Sequence, residues 1–230
     1  MIRNQNGNIF VYILIAVGLF AALMFTLSKS GGQEDAVGEL SEGQSKILAN
    51  EIIGYASTAS NALVNMQQSG ITASQIDFML PSDSNFNTAP NIYKFFHPDG
   101  GGFNLRPIPP KAKRVGGFVM GFGSIGPGYY IGRFNNFEWT PTTSNDIIFA
   151  AHDLNQTVCV EINRRLRNDP TIPTTNQAIF ERFFVDAAVT GGVNSSFTTI
   201  NCAACEEIPA LCVSNGGASR YTFYSILEAE

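Results

Sequence analysis

Charge is scarce in this 230-residue chain: 14% of its residues are Asp, Glu, Lys or Arg, against roughly 25% in an average soluble domain. Basic charge is scarcer still, with 14 Lys and Arg against 19 Asp and Glu and a net charge of −5. A nucleic-acid partner is therefore not indicated, because phosphate binding needs clustered Lys and Arg. The one basic cluster, Lys111-Ala-Lys113-Arg114, follows Pro107-Ile-Pro109-Pro110 and reads as a solvated loop. Histidine is limited to His97 and His152, which stand at no zinc-binding spacing. Each has an acid within two residues, Asp99 and Asp153, and could belong to a Ser-His-Asp arrangement. A turn histidine and a helix-end histidine account for them better. There is no G-x-S-x-G elbow and no H-E-x-x-H. No catalytic residue, metal or cofactor is expected, and the chain is read as a non-enzyme.

Charge is absent altogether from the nineteen residues Ile9 to Leu27. As a helix rising 1.5 Å per residue they would cover about 28 Å, close to the roughly 30 Å hydrocarbon layer of a bilayer. A buried soluble helix is the alternative, but such helices carry a polar stripe, and only Tyr12 and Thr26 could supply one. The stretch before it, Met-Ile-Arg-Asn-Gln-Asn-Gly, is short and polar, and the run ends in Thr26-Leu-Ser-Lys-Ser-Gly-Gly32 rather than at an Ala-x-Ala-like cleavage site. Arg3 before the span and Lys29 after it barely discriminate orientation. About 200 residues follow and a handful precede, so the bulk of the chain is read as exported.

This start resembles that of type IV pilins and type II secretion pseudopilins: a short polar leader with a basic residue, a glycine, then at once a long apolar segment. The resemblance implies that a prepilin peptidase cuts between Gly7 and Asn8, with methylation of the new amine as an accompanying mark. It also implies residues 1–7 as leader, 8–30 as a transmembrane and filament-core helix, and 31–230 as an exported globular domain. The family usually has Phe or Met at the first mature position and Glu at the fifth, where this chain has Asn8 and Tyr12. One class of tip pseudopilin does without that Glu.

Gly31-Gly32 marks a joint after the apolar run. Leu40, Ile47, Leu48, Ile52, Ala56, Ala59, Leu63 and Met66 then recur at helical spacings, giving an amphipathic helix over about 37–68, stopped near Gly70. Turn chemistry from Ile71 to Arg114, including Pro81-Ser-Asp-Ser-Asn and His97-Pro-Asp-Gly-Gly-Gly, predicts a long irregular connection. Gly121-Phe-Gly123-Ser-Ile-Gly126 has the letters of a dinucleotide fingerprint, but Pro127-Gly128 and a strand-like Tyr129-Tyr130-Ile131 follow in place of a helix. Two short strands, near Phe118–Met120 and Tyr129–Phe134, are expected instead. Asn145 to Leu154 opens a second helical zone, in which Leu154, Val158, Cys159, Ile162 and Leu166 share a face and Glu161, Arg164 and Arg165 lie off it. A further helix is expected from about Asn176 to Val189, and Tyr221 to Ile226 reads as an edge or penultimate strand.

Four cysteines complete the inventory: Cys159, Cys202, Cys205 and Cys212. The Cys202-Ala-Ala-Cys205 spacing admits a redox pair, half a zinc site or structural disulfides. Zinc lacks further ligands, and a redox pair wants Cys202 opening a helix after a strand, whereas Thr198-Thr-Ile-Asn reads as a loop. Two disulfides in an oxidising compartment are favoured. Of three connectivities, Cys159–Cys202 with Cys205–Cys212 is preferred, because the short loop between the latter closes easily. Many pilins also carry a disulfide-bounded loop near the carboxyl end.

The fold class expected is α+β: a long N-terminal hydrophobic helix of pilin-like form, then a globular domain with a small antiparallel sheet, extra helices and disulfides. The function expected is a structural subunit of a type IV pilus or type II secretion pseudopilus. Its partners would be copies of itself, other pilins or pseudopilins, prepilin peptidase and a bacterial inner membrane, crossed once with the carboxyl-terminal domain in the periplasm. A membrane-anchored periplasmic binding or enzymatic domain that forms no filament is the alternative.

Overall fold

A computed structural model of the chain describes residues 40–114, 125–176, 181–185, 195–216 and 220–229, all within one compact unit, Leu40–Glu230. Its first element is a 27-residue helix, α1, Glu42–Gln68. Ser41 caps it by accepting the Gln44 N–H at 3.3 Å, and Glu42 sits in the first turn, where the helix dipole favours an acid. Ser69 closes it, and Gly70 leaves with φ +88°, a left-handed angle that favours glycine. The buried stripe runs through Ala49, Ile52, Ala56, Ala59, Leu63 and Met66, and its alanines let the helix approach the layer beneath it closely.

The connection from Gly70 to Arg114 holds single-turn 3-10 segments and isolated bridges but no strand or α-helix. Its folded shape is fixed from within. Lys94 is buried, and its ammonium reaches the carbonyl oxygens of Asn85 at 2.9 Å and Phe86 at 2.8 Å, that of Thr88, and Asn91 Oδ1 at 3.0 Å. A buried charge needs that many oxygens to replace its water.

The remaining elements are strands β1, Gly128–Asn135, and β2, Asp146–His152; helix α2, Gln156–Arg167; strand β3, Thr174–Thr175; helix α3, Glu181–Phe184; and strands β4, Ala210–Asn215, and β5, Tyr221–Glu228. They make a five-stranded sheet in the order β1-β2-β5-β4-β3, antiparallel except for the parallel pair β3 and β4. Alternate residues of β2 and β5 feed two separate cores. Ile147, Phe149, Ala151 and Phe223 face the core shared with α1 and α2, whereas Ile148, Ala150 and Tyr224 face one built on Phe137, Phe183, Phe184 and Phe197.

Two parts of the expected fold class are corrected. The sheet is five-stranded and mixed rather than small and antiparallel, because β3 joins β4 in parallel. A long apolar amino-terminal helix is not found: among the described residues no helix is long and apolar enough to cross a membrane, and the longest, α1, is amphipathic. Residues 1–7 and 8–30, assigned to a leader and a core helix, lie outside the described residues, as do Gly7, Asn8 and the strand expected near Phe118.

Smaller differences have local causes. Asp146–His152 is a strand rather than the opening of a helix, and all seven of its residues are buried; an apolar run covered on both faces carries no period to distinguish the two. β5 is the central strand, neither an edge nor a penultimate one, which fits Phe223 and Tyr224 being buried on opposite faces. Ile47, placed on the apolar face of α1, is 67% exposed, and Tyr55 fills the buried face instead. Glu161, placed off the apolar face of α2, is buried and paired with Arg164, while Leu166, placed on that face, is 39% exposed. Of the helix expected over Asn176–Val189, the described part is α3.

Asn163 of α2 is fully buried and joins three elements. Its amide donates to the carbonyls of Thr171 and Cys212, both at 2.8 Å, and its Oδ1 accepts the Cys212 N–H at 2.8 Å. Asn163→Leu, similar in size but unable to satisfy those groups, is expected to lower the unfolding free energy by about 2–4 kcal/mol, read from the shift of the urea midpoint.

Candidate functional site

The cysteines pair differently from the expectation. Cys159 of α2 bonds Cys212 of β4, with Cα atoms 5.5 Å apart, and Cys202 bonds Cys205, with Cα atoms 5.3 Å apart. The preferred pairing, Cys159–Cys202 with Cys205–Cys212, is therefore corrected. Its reason lies in the sheet: β4 pairs with β5 and lies beneath α2, so Cys212 points at Cys159 in one core while Cys205 points into the other. Cys202 precedes a single 3-10 turn, Ala203–Cys205, and both cysteines are buried against the Phe197 cluster. Loop-closure entropy separates the two bonds. The Cys159–Cys212 link spans 53 residues and the Cys202–Cys205 link spans three. Replacing the first pair by alanine is expected to cost about 4 kcal/mol of unfolding free energy and the second about 2 kcal/mol, measured by urea denaturation of the two double variants.

The two histidines are not brought into one site. His97 lies in the Gly70–Arg114 connection, where its ring sits tilted against Phe86, centroids 5.1 Å apart, and its Nδ1 accepts the Asp99 N–H at 3.1 Å. His152 ends β2 and is fully buried. Arg220 donates to its Nε2 at 3.2 Å. Arginine has no acceptor, so Nε2 is the bare nitrogen and Nδ1–H donates to Thr222 Oγ1 at 2.7 Å. A histidine with both nitrogens so occupied, against a hydroxyl that is itself fully buried, is arranged as a neutral structural link rather than as a base facing substrate.

Around it sits a charge cluster that the sequence did not reveal. Asp153 has φ +59°, a left-handed angle uncommon for a residue with a side chain. Arg114 fixes it twice, through Nε to the carboxylate at 2.8 Å and through its backbone N–H to the Asp153 carbonyl at 2.9 Å. Arg220 Nε lies 3.7 Å from the same carboxylate. Arg114 is thus a bound member of this cluster and not part of a solvated loop. Tyr130 stands nearby, its hydroxyl donating to the Gly126 carbonyl at 2.9 Å, and burial pushes its pKa up.

Burial, then the charges of Arg220 and Arg114, hold the His152 pKa well below its usual 6.5. The folded protein therefore binds fewer protons than the unfolded chain below that pH, and stability rises with pH in this window. As pH falls from 6.5 to 5.0, the unfolding free energy of the parent is expected to drop more steeply than that of His152→Gln, by up to about 1.4 kcal/mol per pH unit. Urea titrations at several pH values check the difference in slope.

One surface arrangement was also missed. Along the solvent side of α1, Asn50, Gly54, Thr58, Asn61 and Asn65 follow at spacings of four, four, three and four, and all are exposed. Each is a poor helix former, and together they cost roughly 3–4 kcal/mol relative to alanine. That conflict between local preference and helical structure is the signal by which the sequence could have disclosed it. The stripe forms one wall of an open cleft of about 760 Å³, whose other wall is Gly101–Arg106. Tyr55 fixes the two walls together: its hydroxyl donates to the Asn104 carbonyl at 2.7 Å and accepts the Arg106 N–H at 3.1 Å. Arg106 lies 4.4 Å over the Tyr55 ring and 3.3 Å from Glu51. Among the described residues no group of His, Cys, Asp and Glu could hold a metal ion.

No protein family, no curated protein and no solved structure matches this chain.

Proposed function

We propose that this chain is a structural subunit of a filament of the type IV pilus or type II secretion pseudopilus kind. The observation that carries the reading is the seven-residue polar start ending in Gly7 and abutting nineteen uncharged residues, Ile9 to Leu27. Before assembly the apolar segment would hold the subunit in a bacterial inner membrane, with the domain from Leu40 onward on the periplasmic side. Assembly would exchange lipid around that segment for contacts with copies of itself and with other pilins or pseudopilins, gaining packing where hydrophobic transfer alone gains little. A domain with both sheet faces buried and two disulfides is suited to a surface outside the reducing cytosol. A second reading, a membrane-anchored binding domain that forms no filament, is favoured by the cleft beside α1.

Intact-mass measurement of the full-length chain, expressed in a host with a prepilin peptidase, separates the two. The expected product lacks Met1 to Gly7 and begins at Asn8, with or without a methyl group, while Gly7→Leu keeps the leader and leaves no protein in sheared filament fractions. A parent chain that retains its first seven residues and sediments only with membranes overturns the filament reading.

A further inference from the structure

We propose that the cleft between α1 and Gly101–Arg106 binds a neutral, linear, polyhydroxylated chain, that is, an uncharged oligosaccharide. The proposal is independent of filament assembly. It starts from four side-chain amides, those of Asn50, Asn61, Asn65 and Asn104. All four line the cleft and are exposed, and none has a hydrogen-bond partner among the described residues. An amide presents a donor and an acceptor side by side. Adjacent hydroxyls on a sugar present the same alternation and can meet each amide with two bonds.

The cleft's other properties narrow the ligand. Arg106 and Glu51 oppose one another across 3.3 Å, so the walls carry no excess of either charge, and an anionic polymer gains nothing there. The side chains with apolar bulk that belong to the cleft, Tyr55, Ala62 and Phe103, are buried beneath it. A peptide, which relies on pockets for its side chains or on a free strand edge, finds neither along a helix face. A lipid surface would face unpaired amides. The volume of about 760 Å³ lies in the range of sites that enclose small ligands, yet the shape is a groove. From Asn50 to Asn65 the helix advances about 22 Å. A linear chain of several sugar units matches that length better than a single compact molecule does. The hydrogen bonds from Tyr55 to the backbone at both ends of the Asn104–Arg106 segment hold the far wall at a fixed distance from the helix, so the width of the cleft is set before any ligand arrives.

The test uses the full-length protein, labelled with nitrogen-15 and held in a detergent without a sugar headgroup. It is titrated with linear neutral hexasaccharides of glucose, mannose and N-acetylglucosamine, and separately with a hexamer of galacturonate and an uncharged peptide. At least one neutral sugar is expected to shift the side-chain amide resonances of Asn50, Asn61, Asn65 and Asn104. The double variant Asn61→Ala/Asn65→Ala is expected to weaken that binding about tenfold or more, each lost hydrogen bond accounting for a factor of roughly two to ten. Both positions are exposed and alanine is the better helix former, so the variant's urea midpoint should equal or exceed the parent's and a folding defect cannot imitate the result. Silence of all four resonances at millimolar sugar overturns the proposal. So does binding that the double variant leaves unchanged, or a response to galacturonate or peptide alone.

Discussion

The pairing of β2 with β5 is the constraint on which the rest of this domain depends. Ile148 stands opposite Ile226, Phe149 opposite Ser225, Ala150 opposite Tyr224 and Ala151 opposite Phe223, so each step along the pair alternates between two apolar layers. A slip of one residue would exchange the two faces of a strand, sending Phe149 into the Phe197 cluster and Ile148 toward Tyr55. The two layers are not equivalent in shape. One must receive a 27-residue helix whose contact stripe includes four alanines, and the other is filled by aromatic rings such as Phe184 and Tyr224, stacked 5.3 Å apart. Register, helix seating and aromatic packing therefore specify one another.

Several polar residues inside this arrangement act as ties between elements. Asn163 connects α2 to β4 and to the turn before β3, His152 connects β2 to β5 and to the segment preceding β5, and Lys94 gathers the Asn85–Asn91 turn around one ammonium. Asp146 opens β2 and accepts the backbone N–H of Phe137 at 2.8 Å, anchoring the Phe137 end of the second core. Each tie satisfies groups that burial would otherwise leave unpaired, and the directionality of hydrogen bonds gives the apolar layers a single alignment. The Cys159–Cys212 bond falls at the same junction as Asn163, four residues away on α2, so a covalent link and a hydrogen-bonded one brace the same pair of elements.

What could be read from the sequence follows from which signals are local. Ser41, Glu42 and Gly70 mark the ends of α1 by capping chemistry that depends on nearest neighbours, and Asn155 and Asn168 do the same for α2, the latter with φ +57°. β1 and β5 showed themselves as strand-like runs, Tyr129 to Phe134 and Tyr221 to Ile226. The misreadings concern relations across long separations. Whether Ile147 to Ala151 forms a strand depends on partners some seventy residues away, and the cysteine pairing depends on which face of β4 points at α2. The short-loop preference for Cys205–Cys212 ignored that the intervening residues enter a strand. Asp153, Arg114 and Arg220 could not be grouped from sequence, since they lie on three segments that meet at Asp153 in space.

The two sides of α1 show how a single helix can answer to separate demands. Its inner side is determined by the sheet: alanine where the backbone must come close, Tyr55 where the ring meets Tyr129 at 4.6 Å and Phe103 at 4.8 Å. Nothing in that packing requires Asn50, Gly54, Thr58, Asn61 and Asn65 on the outer side, where alanine, glutamate or lysine would favour the helix more. Tyr55 couples the sides, because the hydroxyl of the same residue that fills the inner layer positions Asn104 and Arg106 beside the outer stripe. The helix thus tolerates an unfavourable outer face because its inner face is so thoroughly buried, and the stability gained against the sheet is what permits an amide-rich surface to remain helical.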